Sequence, residues 1–210
     1  MKKGLILLLL IALVQVVDGK IFEIIYINTP TITINGAPKK VGDRFDDKAK
    51  IKWASESQAM EVISDDNQIY TISPKLLKKL KKKNWTDCLT RIETLGTRNG
   101  VLMSVDDHRE LFEGYHVLIR VCRFKVGWPV DDNSYFVAST NAPDKKISFK
   151  IPTAGDEIAL TRELLAPLLE NENVDELSLT IEYIETEYNM STLLTEAMNL
   201  IIVPERLKDL

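Results

Sequence analysis

Short runs of alternating apolar and polar residues, each cut off by glycine, asparagine or aspartate, recur along most of this chain. A period of two places every second side chain on the same face, so each run reads as a strand with one buried and one wet surface. IFEIIYIN (21–28) sets Phe22, Ile24 and Tyr26 against Ile21, Glu23 and Ile25. ITI (32–34) then runs into Asn35-Gly36, a hairpin signal because both turn positions need a positive φ. Val41-Gly42-Asp43 reads as another turn, followed by KIKW (50–53), QAMEVI (58–63) and QIYTI (68–72). Strands recurring at this pace predict a small β-barrel or sandwich over residues 20–72.

The same code returns from residue 114 onward. In KISFKI, Ile147, Phe149 and Ile151 alternate with Lys146, Ser148 and Lys150. In ELSLTIEY, Leu177, Leu179, Ile181 and Tyr183 alternate with Ser178, Thr180 and Glu182. YHVLIRVCRF (115–124) is apolar on both faces and reads as one central strand. Asn133-Ser134 and Ala142-Pro143-Asp144 read as turns, and AMNLIIV stops at Pro204, which cannot donate to a ladder. In TRELLAPLLEN, Thr161 is a plausible N-cap, but Pro167 predicts one or two short turns rather than a regular helix. Residues 114–210 are therefore expected to form an immunoglobulin-like β-sandwich with short helical turns. The whole chain is expected to be mainly β.

Between the two β-units, SPKLLKKLKKKNWTDC (73–88) carries lysines at 75, 78, 79, 81, 82 and 83. Ser73 can cap a helix whose first residue is Pro74, and Leu76, Leu77 and Leu80 share one face. Trp85, Cys88 and Ile92 lie well round from that stripe, so a break near Asn84 is expected. So short a helix is stable only when docked. Residues 73–113 thus read as a lysine-rich helical connector. Lys75, Lys78, Lys79, Lys82 and Lys83 form a candidate electrostatic docking surface. Its nearest candidate partner is the second unit, because charge is unevenly divided. Residues 20–100 hold 15 Lys+Arg against 10 Asp+Glu (+5), whereas residues 101–210 hold 10 against 20 (−10).

The chain opens MKKGLILLLLIALVQVVDGK. Lys2 and Lys3, the apolar run 5–17 and a cut after Gly19 match the plan of a secretory signal peptide, residues 1–19. That run is shorter than the roughly 20 residues a spanning helix needs, so no stable membrane span is expected after cleavage. An exported chain is not expected to meet nucleic acid. Two cysteines follow, Cys88 and Cys122, and two readings stand beside each other. They form a disulfide, suited to an oxidising compartment and stabilising by about 3–4 kcal/mol, or they are two buried thiols.

The string TINGAPKKVGDRFDDKAKIKWASESQAMEVISDDNQIYTI (33–72) resembles the small β-domain of FecR-like periplasmic proteins, with Gly36, Val41, Gly42, Asp43 and Ile51 at the matching positions. The chain as a whole is similar to a group of secreted proteins of Bacteroidota. In those, such a domain is followed by a lysine-rich segment, a phrase like LGTRNG (95–100) and a β-rich half ending like EAMNLIIVPE (196–205). The resemblance implies an architecture and a location in the periplasm or cell envelope of a Gram-negative bacterium, but no chemistry. FecR-like regulators carry a cytoplasmic segment and a spanning helix before this domain. Here only four residues precede the apolar run, so signalling by that route is not expected.

Catalytic patterns are missing from the sequence. His108 follows Asp106-Asp107, a cluster able in principle to hold a metal or set up a base, yet no GxSxG, HExxH or phosphate-cradling glycine loop occurs. VDDHRELF also reads as a helix start with its acids placed favourably against the dipole. Asp46-Asp47, Asp65-Asp66, Asp131-Asp132 and Asp156-Glu157 suit turns. Trp53, Trp85 and Trp128 read as core residues rather than a sugar platform. No catalytic residue, cofactor or metal ligand is assigned. The leading expectation is a non-catalytic, exported binding or assembly module with an envelope protein or glycan as partner. The rivals are a glycan- or peptide-directed hydrolase built around His108 and scattered acids, and a partner-dependent envelope stress sensor.

Overall fold

The structure is a computed structural model that describes residues 19–89, 104–140, 147–169 and 174–207. LGTRNG (95–100), Ile92, the Ala142-Pro143-Asp144 turn and all of the expected signal peptide (1–19) except Gly19 lie outside the described residues. Among the described residues, no helix is long and apolar enough to cross a membrane.

The first unit has two small sheets. β1 (Ile21–Ile27), β4 (Arg44–Asp46), β6 (Met60–Ser64) and β7 (Ile69–Ile72) form one, in the order β4-β1-β6-β7. β2 (Thr33–Ile34), β3 (Ala37–Pro38) and β5 (Ile51–Lys52) form the other, in the order β3-β2-β5. The β2–β3 hairpin turns on Asn35 at φ 52° and Gly36 at φ 80°, as its sequence demands. Phe22, Ile24, Ile32, Ile34, Val62 and Tyr70 fill the space between the sheets, which do not close into a barrel. Trp85, from beyond the last strand, completes this core edge-on to Phe22 with centroids 5.1 Å apart, and its indole N–H donates to the Ala49 carbonyl at 2.8 Å. The expected alternation along β1 breaks after Ile24. A register shift between Ile24 and Tyr26 turns Tyr26 out of this core, towards the second unit.

The second unit is a sandwich-like pair of sheets. β8 (Gly114–Leu118), β10 (Ser134–Thr140), β11 (Ser148–Lys150), β14 (Glu176–Glu185) and β15 (Met190–Ile202) give the order β11-β10-β14-β15-β8, with β8 parallel to β15. β9 (Val121–Lys125), β12 (Thr153–Ala154) and β13 (Glu157–Thr161) give β12-β13-β9. Phe124, Phe136, Ile151, Ile158, Leu160, Leu179, Ile181 and Leu200 pack between them. The fold is thus mainly β and sandwich-like.

Among the described residues, three α-helices join this frame. α1 (Pro74–Lys79) ends in a Schellman motif: Lys81 adopts φ 54°, Lys82 N–H reaches the Leu77 carbonyl, and Lys81 N–H reaches that of Lys78. The helix therefore breaks just before Asn84, which opens a 3₁₀ turn at Trp85–Cys88. Ser73 sits at the N-cap position but makes no side-chain cap, and its buried hydroxyl has no hydrogen-bond partner. α2 (Val105–Phe112) starts with a capping box, Ser104 and Asp107 each bonding the other's backbone N–H. α3 (Arg162–Leu169) corrects the expectation of broken turns: Pro167 lies inside a helix of eight residues. Interior proline costs about 3 kcal/mol. Here Leu165 is fully buried and Leu164, Leu168 and Leu169 pack on the same core, which offsets the lost hydrogen bond. Thr161 caps as its sequence implies, accepting from the Leu164 N–H at 3.2 Å.

Candidate functional site

The two units meet along a seam that has a closed side and an open side. On the closed side, Ala59, Leu76 and Cys88 of the first unit and its connector pack with Val117, Ile119, Ile201 and Val203 of the second. Tyr26, Leu77, Leu80 and Tyr115 complete this cluster. Asn28, only 3% exposed, clips the C-terminal segment in place. Its amide donates to the carbonyls of Ser57 (2.9 Å) and Pro204 (3.0 Å), its side-chain oxygen accepts from Ala59 N–H (2.9 Å), and its own carbonyl accepts from Leu207 N–H (3.0 Å). The Tyr26 hydroxyl donates to the Glu205 carbonyl.

Two connector lysines reach across this seam, Lys75 to Asp175 at 2.6 Å and Lys79 to Glu176 at 2.5 Å. Lys78 instead pairs with Glu56 inside the first unit at 2.9 Å, while Lys82 and Lys83 are exposed past the end of α1. The five candidate docking lysines are thus divided among three environments. Exposed ion pairs contribute about 0–1 kcal/mol each, whereas burying one aliphatic side chain contributes about 1.5–3 kcal/mol. The apolar cluster therefore holds the seam, and the lysines trim its rim.

The open side is a cleft of about 600 Å³. One wall is the outward face of the first sheet, with Ile25, Glu61, Ile69 and Thr71. The run Val121–Lys125 also lines it, with Tyr115, His116, Val117 and Leu111. Arg120 stands at the corner: its guanidinium pairs with buried Glu61 at 2.6 Å and stacks 4.1 Å from the centre of the Tyr26 ring. Arg123 lies 3.8 Å from Glu157 and Lys125 3.1 Å from Asp156.

This cleft exists because YHVLIRVCRF is not the single central strand its sequence implies. The chain bends at Ile119-Arg120, and the halves become β8 and β9, each the terminal strand of a different sheet. The carbonyl that the bend releases at Ile119 is taken by Arg162 Nε at 2.6 Å, and the same guanidinium donates to the Val203 carbonyl. Arg120 interrupting an otherwise apolar run was the sequence signal for this corner. Glu61, Arg123 and Lys125 carried no signal, since alternating charged residues are ordinary on a strand.

Of the two readings for the cysteines, the structure has the thiols: Cys88 and Cys122 are both free. Cys88 lies in the seam cluster and Cys122 packs on the second unit's core. Burial pushes the Cys88 thiol up to about 11 and that of Cys122 up to about 12, so both stay protonated near neutral pH. His108 is fully buried against Trp128, ring centres 4.0 Å apart, with Nδ1 bonded to the Ser104 carbonyl at 2.9 Å. Burial lowers its pKa. Asp107 faces the helix cap and Asp106 pairs with Arg109, so the Asp-Asp-His run does not converge on one point. Among the described residues, no three histidine, cysteine or acidic side chains are grouped to hold a metal ion. His116, in the cleft wall, has Nε2 3.3 Å from the Phe112 carbonyl and its ring edge-on to Phe124. Asp46 and Asp131 accept from turn backbone N–H groups, as their sequence positions suggest. Trp53 and Trp85 belong to the first core and Trp128 to the second, so they form no common platform.

No family model, curated protein or solved structure matches the chain, and the FecR-like resemblance rests on the quoted residues alone.

Proposed function

We propose that this chain is an exported binding or assembly module of the cell envelope, and that the cleft between its two β-units is where a partner binds. The observation that carries the reading is the make-up of the cleft walls. They combine exposed apolar surface at Ile69 with paired charges and a strand edge, which suits recognition. The titratable groups beside them are placed for structure: the Cys122 thiol is held protonated, and the His116 ring is seated against Phe112 and Phe124. The export half of the reading rests on MKKGLILLLLIALVQVVDG.

The test is a capture experiment from envelope extracts at low salt, comparing the wild type with Ile69→Arg. Ile69 is 52% exposed, so the change alters the cleft wall and leaves the core intact. A protein or glycan retained by the wild type and lost with Ile69→Arg supports the reading. If the wild type retains nothing that Ile69→Arg loses, the cleft is not the binding site.

A further inference from the structure

The side chains of a strand point alternately to its two faces, so a cavity against one face meets every second residue. The cleft, however, is lined by five consecutive residues, Val121, Cys122, Arg123, Phe124 and Lys125. It therefore looks onto the edge of β9. One edge of β9 is fully paired, Val121 through Lys125 lying opposite Thr161 through Glu157 of β13. The other edge is where its sheet ends.

The hydrogen-bond parity identifies the groups on that free edge. Ala159 N–H bonds away from β9, to the Pro152 carbonyl, while Val126 N–H bonds the Asp156 carbonyl on the β13 side. In an antiparallel ladder the two directions alternate along the strand. Cys122 and Phe124 therefore direct their backbone groups to β13, and Val121, Arg123 and Lys125 direct theirs into the cleft. No described strand takes them up. Their side chains share one face, where Arg123 and Lys125 are more than half exposed.

The geometry points to the edge of β9 as the site where an acidic, extended polypeptide segment of another protein adds as a strand, a reading that rests on the binding function proposed above. Charge selects this occupant. Of the cations lining the cleft, Arg120 is held by buried Glu61, whereas Arg123 and Lys125 make only exposed pairs, with Glu157 at 3.8 Å and Asp156 at 3.1 Å, which an incoming carboxylate can exchange or share. Opposite charges directly across a strand pair are favourable, and like charges are unfavourable. A second copy of β9 would set Arg123 and Lys125 against their own kind, the usual protection of an edge from self-pairing. A foreign strand with acids at alternate positions meets both cations. The apolar residues between those acids face a cleft whose other surfaces include Ile25, Ile69 and Val117. Main-chain bonds then supply the affinity and alternate side chains the specificity.

The experiment titrates the full chain with a blocked heptapeptide of alternating glutamate and valine. A second peptide with lysine in place of glutamate serves as the comparison. Amide hydrogen exchange is followed by NMR in the same samples. The acidic peptide is expected to bind about tenfold more tightly than the basic one. It should slow exchange at Val121, Arg123 and Lys125 and leave Cys122 and Phe124, already bonded to β13, unchanged. The double change Arg123→Glu and Lys125→Glu should invert the preference. Arg123→Pro removes one outward N–H that β13 does not use and should abolish binding while the melting temperature holds. Equal binding of the two peptides, or no added protection at the three outward amides, overturns strand addition. If capture of a partner still depends on Ile69 in that case, the binding function stands without it; if that capture fails too, both fall.

Discussion

The two sides of the inter-unit seam use the same neighbouring residues for opposite ends. On the closed side, Val117, Ile119, Ile201 and Val203 meet Leu76 and Ala59 in a continuous apolar cluster, with Lys75 and Lys79 paired at its margin. On the open side, residues only a few positions further along β9 present backbone edge and charge to a cleft. Arg120 stands between the two, its guanidinium on Glu61 and over Tyr26. Where apolar area is continuous the units are fastened, and where a strand edge has no partner among the described residues a cleft is left.

The comparison breaks most severely if the closed side is opened. Ile119→Asp buries an unpaired carboxylate at a position 1% exposed, and is expected to cost more than about 4 kcal/mol. Urea titration should find either no folded protein or a transition split into two steps as the units part. A loss below about 1 kcal/mol would mean that the apolar cluster does not fasten the seam. Asn28→Ala comes next. It leaves the Ala59 N–H and the carbonyls of Ser57 and Pro204 without their partner, and is expected to cost about 2–4 kcal/mol. Arg120→Ala follows, at about 2–3 kcal/mol, because Glu61 stays buried without its cation. The cost falls short of that for a fully buried pair since Arg120 is 43% exposed. Arg120→Ala with Glu61→Gln should recover most of that loss if the unpaired carboxylate is its cause.

His108 separates the core from the seam. Its folded pKa is depressed by burial, so below the unfolded value near 6.5 the unfolded chain binds a proton that the folded chain does not. Its contribution to stability is therefore full above that pH and is lost as pH falls towards the depressed value. One proton limits the loss to about 1.4 kcal/mol per pH unit. Melting temperatures between pH 7 and 5 should fall less steeply for His108→Phe than for the wild type; parallel profiles would remove His108 as the cause. Smallest is Lys75→Gln with Lys79→Gln, expected to cost under about 1 kcal/mol and to reduce the salt dependence of stability. A larger loss would reverse the ranking of apolar contact over charge at the closed side.

Much of the frame was legible from local pattern. The strands at 21–27, 60–64, 69–72 and 176–185, the Asn35-Gly36 hairpin and the break before Trp85 follow from alternation and turn chemistry, which neighbours along the chain decide. Ser104 as the cap of α2 is also readable, since Ser104 and Asp107 have the spacing of a capping box. Helical Pro167 was not readable, because four leucines in contact with a distant core outweigh one missing hydrogen bond. The uneven charge pointed Lys75 and Lys79 towards the second unit, but not to Asp175 and Glu176 in particular, some hundred positions away.

The amino-acid sequence by itself determined that this chain builds two β-rich units of unequal charge around a short lysine-bearing helix. Periodicity, turn residues and charge count are local properties. Only the tertiary structure decided that YHVLIRVCRF is two edge strands and that a cleft opens beside them. Alternation along a strand reports which faces are buried, whereas its edges depend on which partners arrive from elsewhere in the chain. Val121–Lys125 obtained β13 on one side and no described strand on the other.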